Sequence, residues 1–202
     1  LHVKRRIALA GSLKALLKEL EVFGRENDAA FGERARRMLN ITHDTGEFLA
    51  VLVRAMNARR ILEIGTSNGY STLWLADAAR AVDGHVTTVE MAAAKIALAR
   101  NNFARAGLDG HIQQIEGEAG AYLADCPDAS CDLVFLDSER SAYLGWLPQL
   151  ARILRSGGLL VVDNATSHAQ EMAPFMQALR SDPRWSTSLV PVGNGEFLAT
   201  RH

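Results

Sequence analysis

An excess of charge of either sign, a long apolar run and a cysteine framework are all missing from this chain, and each absence narrows what it can do. Lys and Arg number 22 against 23 Asp and Glu, a net charge of −1. Nothing in that balance favours a nucleic acid or an anionic membrane as partner. Lys4-Arg5-Arg6 is the one basic cluster near a terminus, and so short a run reads as solvated surface. No apolar run approaches the roughly 18–20 residues that span a bilayer. The N-terminal segment mixes charge with apolar residues throughout, which does not read as a signal peptide. The chain opens on Leu1 rather than Met, which leaves room for residues ahead of it. Cys126 and Cys131 are the only cysteines and lack Cys or His partners at metal-site spacing. They read as free thiols in a reducing cytoplasm.

What is present is the composition of a soluble globular protein, 48% hydrophobic and 22% charged over 202 residues. That length suits one domain with a two-sided core. Ile7, Leu9, Leu13, Leu16, Leu17 and Leu20 recur at helical spacing and predict an amphipathic helix from about 4 to 23, closed by Gly24. A second helix is expected over 29–39, and a third from Asp44 as N-cap to Met56. From residue 60 short apolar runs alternate with helical segments. Strands are expected at 61–64, 86–89, 112–115, 133–136 and 159–162. Helices between and after them are expected up to Val82 and over 91–106, 118–124, 141–154 and 168–180. Runs apolar on both faces imply a mostly parallel sheet covered on both sides. At the end, 188–192, a Gly-Asn-Gly turn and 196–200 read as an antiparallel hairpin. No repeat or linker appears. The chain is read as a single domain, 1–202, with N-terminal helices (1–58) layered over an α/β core (59–202).

In open α/β sheets ligands bind beyond the carboxyl ends of the strands. There the first strand delivers Glu63 and the loop Gly65-Thr66-Ser67-Asn68-Gly69, whose glycines allow a tight turn and close approach to a ligand. Glu63 is placed to face a cofactor. The second strand ends in Glu90, suited to both hydroxyls of a ribose. That acid serves NAD equally well, but the loop is G-x-x-x-G and lacks the second glycine that a pyrophosphate requires. Asp137 ends the fourth strand and Asp163-Asn164 the fifth. Two carboxylates and an amide on one rim offer hard oxygen ligands for Mg²⁺ or Ca²⁺, or else Asp163-Asn164 makes a turn.

LEIGTSNGYS, FLDSERSAY and GGLLVVDNATSH, in this order and spacing, resemble the metal-dependent O-methyltransferases, with catechol and caffeoyl-CoA O-methyltransferases as familiar members. The resemblance covers roughly residues 40 to 200. It implies a Rossmann-like α/β fold of seven mostly parallel strands, S-adenosylmethionine as cofactor, and Asp137, Asp163 and Asn164 as metal ligands. It further implies that Ile41, Glu63, Gly65, Thr66 and Ser71 line the methionine side, with Gly69 in the same loop. Glu90 would hold the ribose, and Ala119 and Ser138 would lie near adenine. The expected substrate is a small catechol-like aromatic, and by analogy with bacterial relatives the first helix is a candidate homodimer element.

One position departs from the pattern. The family typically carries a lysine three residues after the first metal Asp, and this chain has Arg140. Arginine stays protonated and cannot take the acceptor's proton, so stabilising a phenolate or orienting substrate is the role left to it. A surface ion pair with Glu139 is the plainer reading. His168 could reach substrate as a base, or simply open a helix. Tyr143, Trp146 and Trp185 read as core. Two alternatives stay open: a metal-independent methyltransferase for another nucleophile, and an NAD-linked oxidoreductase or binding module.

Overall fold

The computed structural model describes residues 2–202, with side chains from Leu13 onward. The Lys4-Arg5-Arg6 cluster, Ile7 and Leu9 therefore lie outside the residues whose side chains are described. Seven strands form one sheet in the order β3-β2-β1-β4-β5-β7-β6. They are β1 Arg60–Ile64, β2 His85–Glu90, β3 Ile112–Glu116, β4 Cys131–Leu136, β5 Leu154–Val162, β6 Trp185–Val190 and β7 Glu196–Arg201. β1 to β5 pair in parallel, and β7 runs antiparallel between β5 and β6. The expected α/β sheet with its closing hairpin is what forms.

Residue parity divides the core. Ile61, Val86, Leu133, Phe135, Leu159 and Val161 face one way. There they meet α1 (His2–Ala30), α2 (His43–Met56), α3 (Tyr70–Arg80) and α4 (Ala93–Ala106) through Leu16, Leu20, Leu49, Val53, Leu73 and Phe103. Leu62, Ile64, Val134, Leu136, Leu160 and Val162 face α5 (Ala119–Asp125), α6 (Tyr143–Ile153) and α7 (Ala169–Ser181) through Leu123, Leu150, Ile153, Met172, Phe175 and Leu179. Successive strand side chains point to opposite faces, so an unbroken apolar run is what a doubly covered strand requires. Cys126 and Cys131 are buried and unpaired. Among the described residues no helix is long and apolar enough to cross a membrane.

The N-terminal layer differs from expectation in three places. Gly24 does not close α1, which runs on to Ala30. The glycine is there for packing: a Cβ would lie 2.6 Å from Nδ2 of Asn40. The helix expected over 29–39 is absent apart from one 3₁₀ turn, Arg34–Arg36. Side chains satisfy this segment's backbone instead. Asp28 accepts from the amides of Met38 (2.6 Å) and Leu39 (2.9 Å), and Ser67 donates to the carbonyl of Met38 (2.7 Å). Thr42, not Asp44, caps α2, accepting from the amide of Thr45. Asp44 reaches across to the amide of Gly193 (3.1 Å) in the β6–β7 turn.

The chain leaves β1 toward β2 and β3 on one side, then returns to β4 and β5 on the other. A crevice opens outside the carboxyl ends of β1 and β4, where the strand order reverses. The ladder carries one residue past these strand ends. Gly65 N donates to Val89 O (3.0 Å), Asp137 N to Ile64 O (3.0 Å) and Asp163 N to Leu136 O (3.1 Å). Residues 65, 90, 137 and 163 therefore stand side by side on one rim.

Candidate active site

A cavity of about 920 Å³ occupies this crevice, ample for a cofactor and a small acceptor together. Of the residues singled out in the sequence, Ile41, Gly65, Thr66, Ser71, Glu90, Asp137, Ser138, Arg140, Asp163, Asn164 and His168 line it. Glu63, Gly69 and Ala119 do not.

Glu63 stands apart from the cavity lining. It shares parity with Ile61 and is fully buried on the α3 side of the sheet. Its carboxyl accepts from the hydroxyls of Ser71 (2.5 Å), Thr88 (2.6 Å) and Thr72. It holds the cofactor loop from behind, through Ser71, rather than touching what fills the cavity. Burial pushes its pKa up to about 7, against the hydrogen bonds that favour the charged form. A raised folded-state pKa gives stability that is complete below the unfolded value of 4.5 and lost as pH rises through about 7. Glu63→Gln keeps an acceptor and removes the ionisation. Chemical denaturation from pH 4 to 9 should show wild type losing stability above pH 5 relative to this variant. A constant difference across that range would contradict the assignment.

The two loop glycines answer to protein neighbours. Gly65 has φ +108°, and a Cβ there would lie 2.1 Å from the carbonyl oxygen of Asp137. Gly69 has φ +85°, and its Cβ would meet the Phe103 ring at 2.5 Å. The first lets β4 pass against the loop, and the second seats α3 on α4. Ala119 is buried at the start of α5, behind the cavity wall.

Glu90 faces the cavity with both oxygens already oriented. Oε2 accepts from the amide of Ser67 (3.0 Å), and Oε1 from those of Met91 and Ala92 (3.0 Å each). With three of its roughly four lone-pair sites filled, this carboxylate keeps one, on Oε2, for a further donor. Asn68 Nδ2 and Ser138 Oγ are buried on the same wall with no hydrogen-bond partner among the described residues. Burial without a partner costs about 1–3 kcal/mol per group, which a bound ligand or water would relieve.

At the β4–β5 end of the same rim the amide nitrogen of Asn164 bridges Asp137 Oδ1 (3.1 Å) and Asp163 Oδ2 (2.9 Å). The proximity of the two acids is electrostatically costly. Burial and then the charge of Asp163 hold Asp137 well above the usual carboxylate range. Glu196, which opens β7, is buried beside them and accepts from the Thr45 hydroxyl (3.1 Å). Burial and the neighbouring Asp163 push it up to about 10. No sequence reading singled out Glu196, although a lone charge in an apolar strand is a visible signal.

Arg140 forms no pair with Glu139. It is buried, and its Nε donates to Glu171 Oε2 (2.6 Å) on α7. His168 is the N-cap residue of α7, exposed on the cavity edge, with Nδ1 2.9 Å from the Ser167 hydroxyl. The segment read as helix supplies residues the sequence did not offer: Arg34, Arg37, Met38 and Asn40 all line the cavity, as do Tyr70 and Lys95. Among the described residues, no three His, Cys, Asp or Glu side chains are arranged to hold a metal, so any third ligand on this rim must be of another kind.

The architecture is shared with known proteins. A Mycobacterium bovis protein with a provisional O-methyltransferase name is 33% identical over 174 residues, 80% of this chain and 77% of the relative. A catechol O-methyltransferase of Mycobacterium tuberculosis is 36% identical over 124 residues, 61% of this chain and 56% of that protein. Among solved structures, the O-methyltransferase from Bacillus cereus in complex with SAH superposes with a TM-score of 0.76 at 25% identity, covering 93% of this chain and 91% of the other. The O-methyltransferase family model matches residues 13–202, nearly the whole chain. This protein belongs to the O-methyltransferase family.

Proposed function

We propose that the protein transfers a methyl group from S-adenosylmethionine to a hydroxyl of a small catechol-like aromatic, assisted by a divalent cation. The observation that carries this reading is the sharing of one cavity by Glu90, aimed at its β2 side, and by the Asp137–Asp163–Asn164 rim on its β4–β5 side. The first suits a ribose hydroxyl, and the second suits the oxygen-rich acceptor. The SAH bound in the Bacillus cereus structure and the catechol in the Mycobacterium tuberculosis relative's name support the same assignment. The loop supports adenosylmethionine over a dinucleotide, because Thr66 and Ser67 occupy positions where a pyrophosphate would need glycine.

The rim fits a hard cation. The charge of Asp163 raises the proton affinity of Asp137, a demand for positive charge that Asn164 now meets with its amide hydrogens. Turning that amide over would present Oδ1 instead and complete a donor set of three oxygens, with Ser167 Oγ, 3.3 Å away, able to accept from the nitrogen. Asp137, Asp163 and Asn164 would hold Mg²⁺ or Ca²⁺, and the bound ion would make an acceptor hydroxyl more acidic.

This chain's own residues do the rest. Walls on both sides of the cavity set acceptor oxygen and methyl carbon in line. As the new O–C bond forms, the S–C bond breaks and its electron pair neutralises the sulfonium. Arg140 cannot accept the phenolic proton, which leaves to solvent. Its guanidinium, anchored by Glu171, favours the phenolate electrostatically.

Turnover of 3,4-dihydroxybenzoate or catechol with S-adenosylmethionine tests the reading. Exhaustive chelation should lower the rate by 100-fold or more, and added Mg²⁺ should restore it, as expected when a Lewis acid's several kcal/mol are withdrawn. Methylation of catechols that survives chelation would leave a metal-independent methyltransferase. Turnover only of acceptors without adjacent hydroxyls would remove the catechol assignment.

A further inference from the structure

We infer, resting on the proposed function, that the methyl acceptor carries a carboxylate beside its hydroxyls, and that Arg34 and Arg37 bind it. The two arginines flank the 3₁₀ turn Arg34–Arg36, in which side chains three apart fall on the same side. Both line the cavity. Arg36 between them turns away, its guanidinium lying 3.7 Å from the centre of the Phe31 ring.

The chain does not spend these charges on itself. Among the described residues neither Arg34 nor Arg37 takes part in an ion pair, and Nε of Arg37 is buried without a hydrogen-bond partner. Glu33, next to Arg34 in sequence, does not line the cavity. Asp28 does line it, but its two oxygens are taken by the amides of Met38 and Leu39. Glu139, the exposed acid on the far wall, accepts from the Ser141 hydroxyl. Arg34 lines the same cavity as Arg140 and the Asp137–Asp163–Asn164 group.

Arg140 adds to this field from the opposite wall. Only 6% of its side chain is exposed, and Glu171 holds it at Nε alone. Of the three guanidiniums that line the cavity, only that of Arg140 is held in an ion pair among the described residues. A planar fork of N–H donors matches a carboxylate in geometry as well as charge. A neutral catechol would leave Nε of Arg37 unsatisfied, whereas an acid of the same shape would pair it.

The test compares 3,4-dihydroxybenzoate with 3,4-dihydroxybenzyl alcohol, which keeps the diol and lacks the charge. The acid should have the higher kcat/KM by about 10- to 100-fold, the range of one or two charge-assisted hydrogen bonds. In the Arg34→Gln/Arg37→Gln double variant the acid's KM should rise about 10- to 100-fold more than the alcohol's, bringing the two substrates together. Equal turnover of both by wild type, or a preference that survives the double variant, would overturn the inference while the catechol reading stands. If neither compound is methylated, calorimetry with benzoate on the SAH-loaded protein separates the two failures. Benzoate binding that is lost in the double variant upholds the anion site without the diol chemistry, and no binding removes both.

Discussion

Replacing Asp137 by asparagine should stabilise the protein and abolish its activity. Asp137 ends β4 against Asp163, and burial together with that neighbour's charge raises its pKa. The folded chain therefore binds this proton more tightly than the unfolded chain does. Stability from the group is complete below the ordinary carboxylate range and is lost as pH rises through its folded-state value. Above the ordinary carboxylate range Asp137 is therefore a standing cost, because the unfolded chain ionises there more readily than the folded one. Asp137→Asn removes the charge and keeps the shape, and should gain about 1–2 kcal/mol, a rise in Tm of several degrees for a chain of this size. The advantage should fade below pH 4. The same substitution takes a carboxylate from the proposed cation site, so methyl transfer should fall about 1000-fold, within the range for losing Lewis-acid assistance. Binding of S-adenosylhomocysteine should persist. A variant that melts lower than wild type and still turns over would contradict both halves.

Gly65→Ala should cost about 3 kcal/mol or more, near the upper end for single substitutions. Two faults coincide at this position. The backbone angle of +108° lies where side chains are strained, and the added carbon would sit 2.1 Å from the Asp137 carbonyl, an atom fixed in the sheet. Relief requires the loop to move off β4, which would displace Thr66, Ser67 and with them Glu90's partner amide. Any folded fraction should therefore also lose cofactor affinity. Gly110→Ala is the control, since a Cβ there meets nothing within 4 Å. Urea denaturation of the two variants should separate them by at least about 2 kcal/mol. Equal midpoints would show that the close approach at Gly65 is not real.

Much of this site was legible because strand ends announce themselves. An apolar run that stops at Glu90, Asp137 or Asp163 places its carboxylate beyond the sheet, and parallel pairing aligns such ends on one rim. What stayed hidden depended on contacts between distant segments. Gly24 reads as a helix terminator, yet its reason is Asn40, sixteen residues on and packed against it. Residues 34–41 have helical composition, but Asp28 and Ser67 claim their backbone groups, so the arginines of the acceptor side could not be placed. The position of Glu63 behind the cavity stayed hidden for a simpler reason. Its parity with Ile61 points it toward α3, and attention to its place at a strand end obscured that. Arg140's partner, Glu171, lies on an element 31 residues away, where Glu139 next in sequence was the nearer guess.

The central claim is that this cavity binds an adenosyl amino acid with Glu90 on its ribose. Titration calorimetry of the wild-type protein and Glu90→Gln with S-adenosylhomocysteine and with NAD tests it most directly. The account predicts saturable binding of S-adenosylhomocysteine, weakened about 10-fold or more in the variant as a charge-assisted hydrogen bond is lost, and no heat from NAD. Binding of NAD with none of S-adenosylhomocysteine would contradict it.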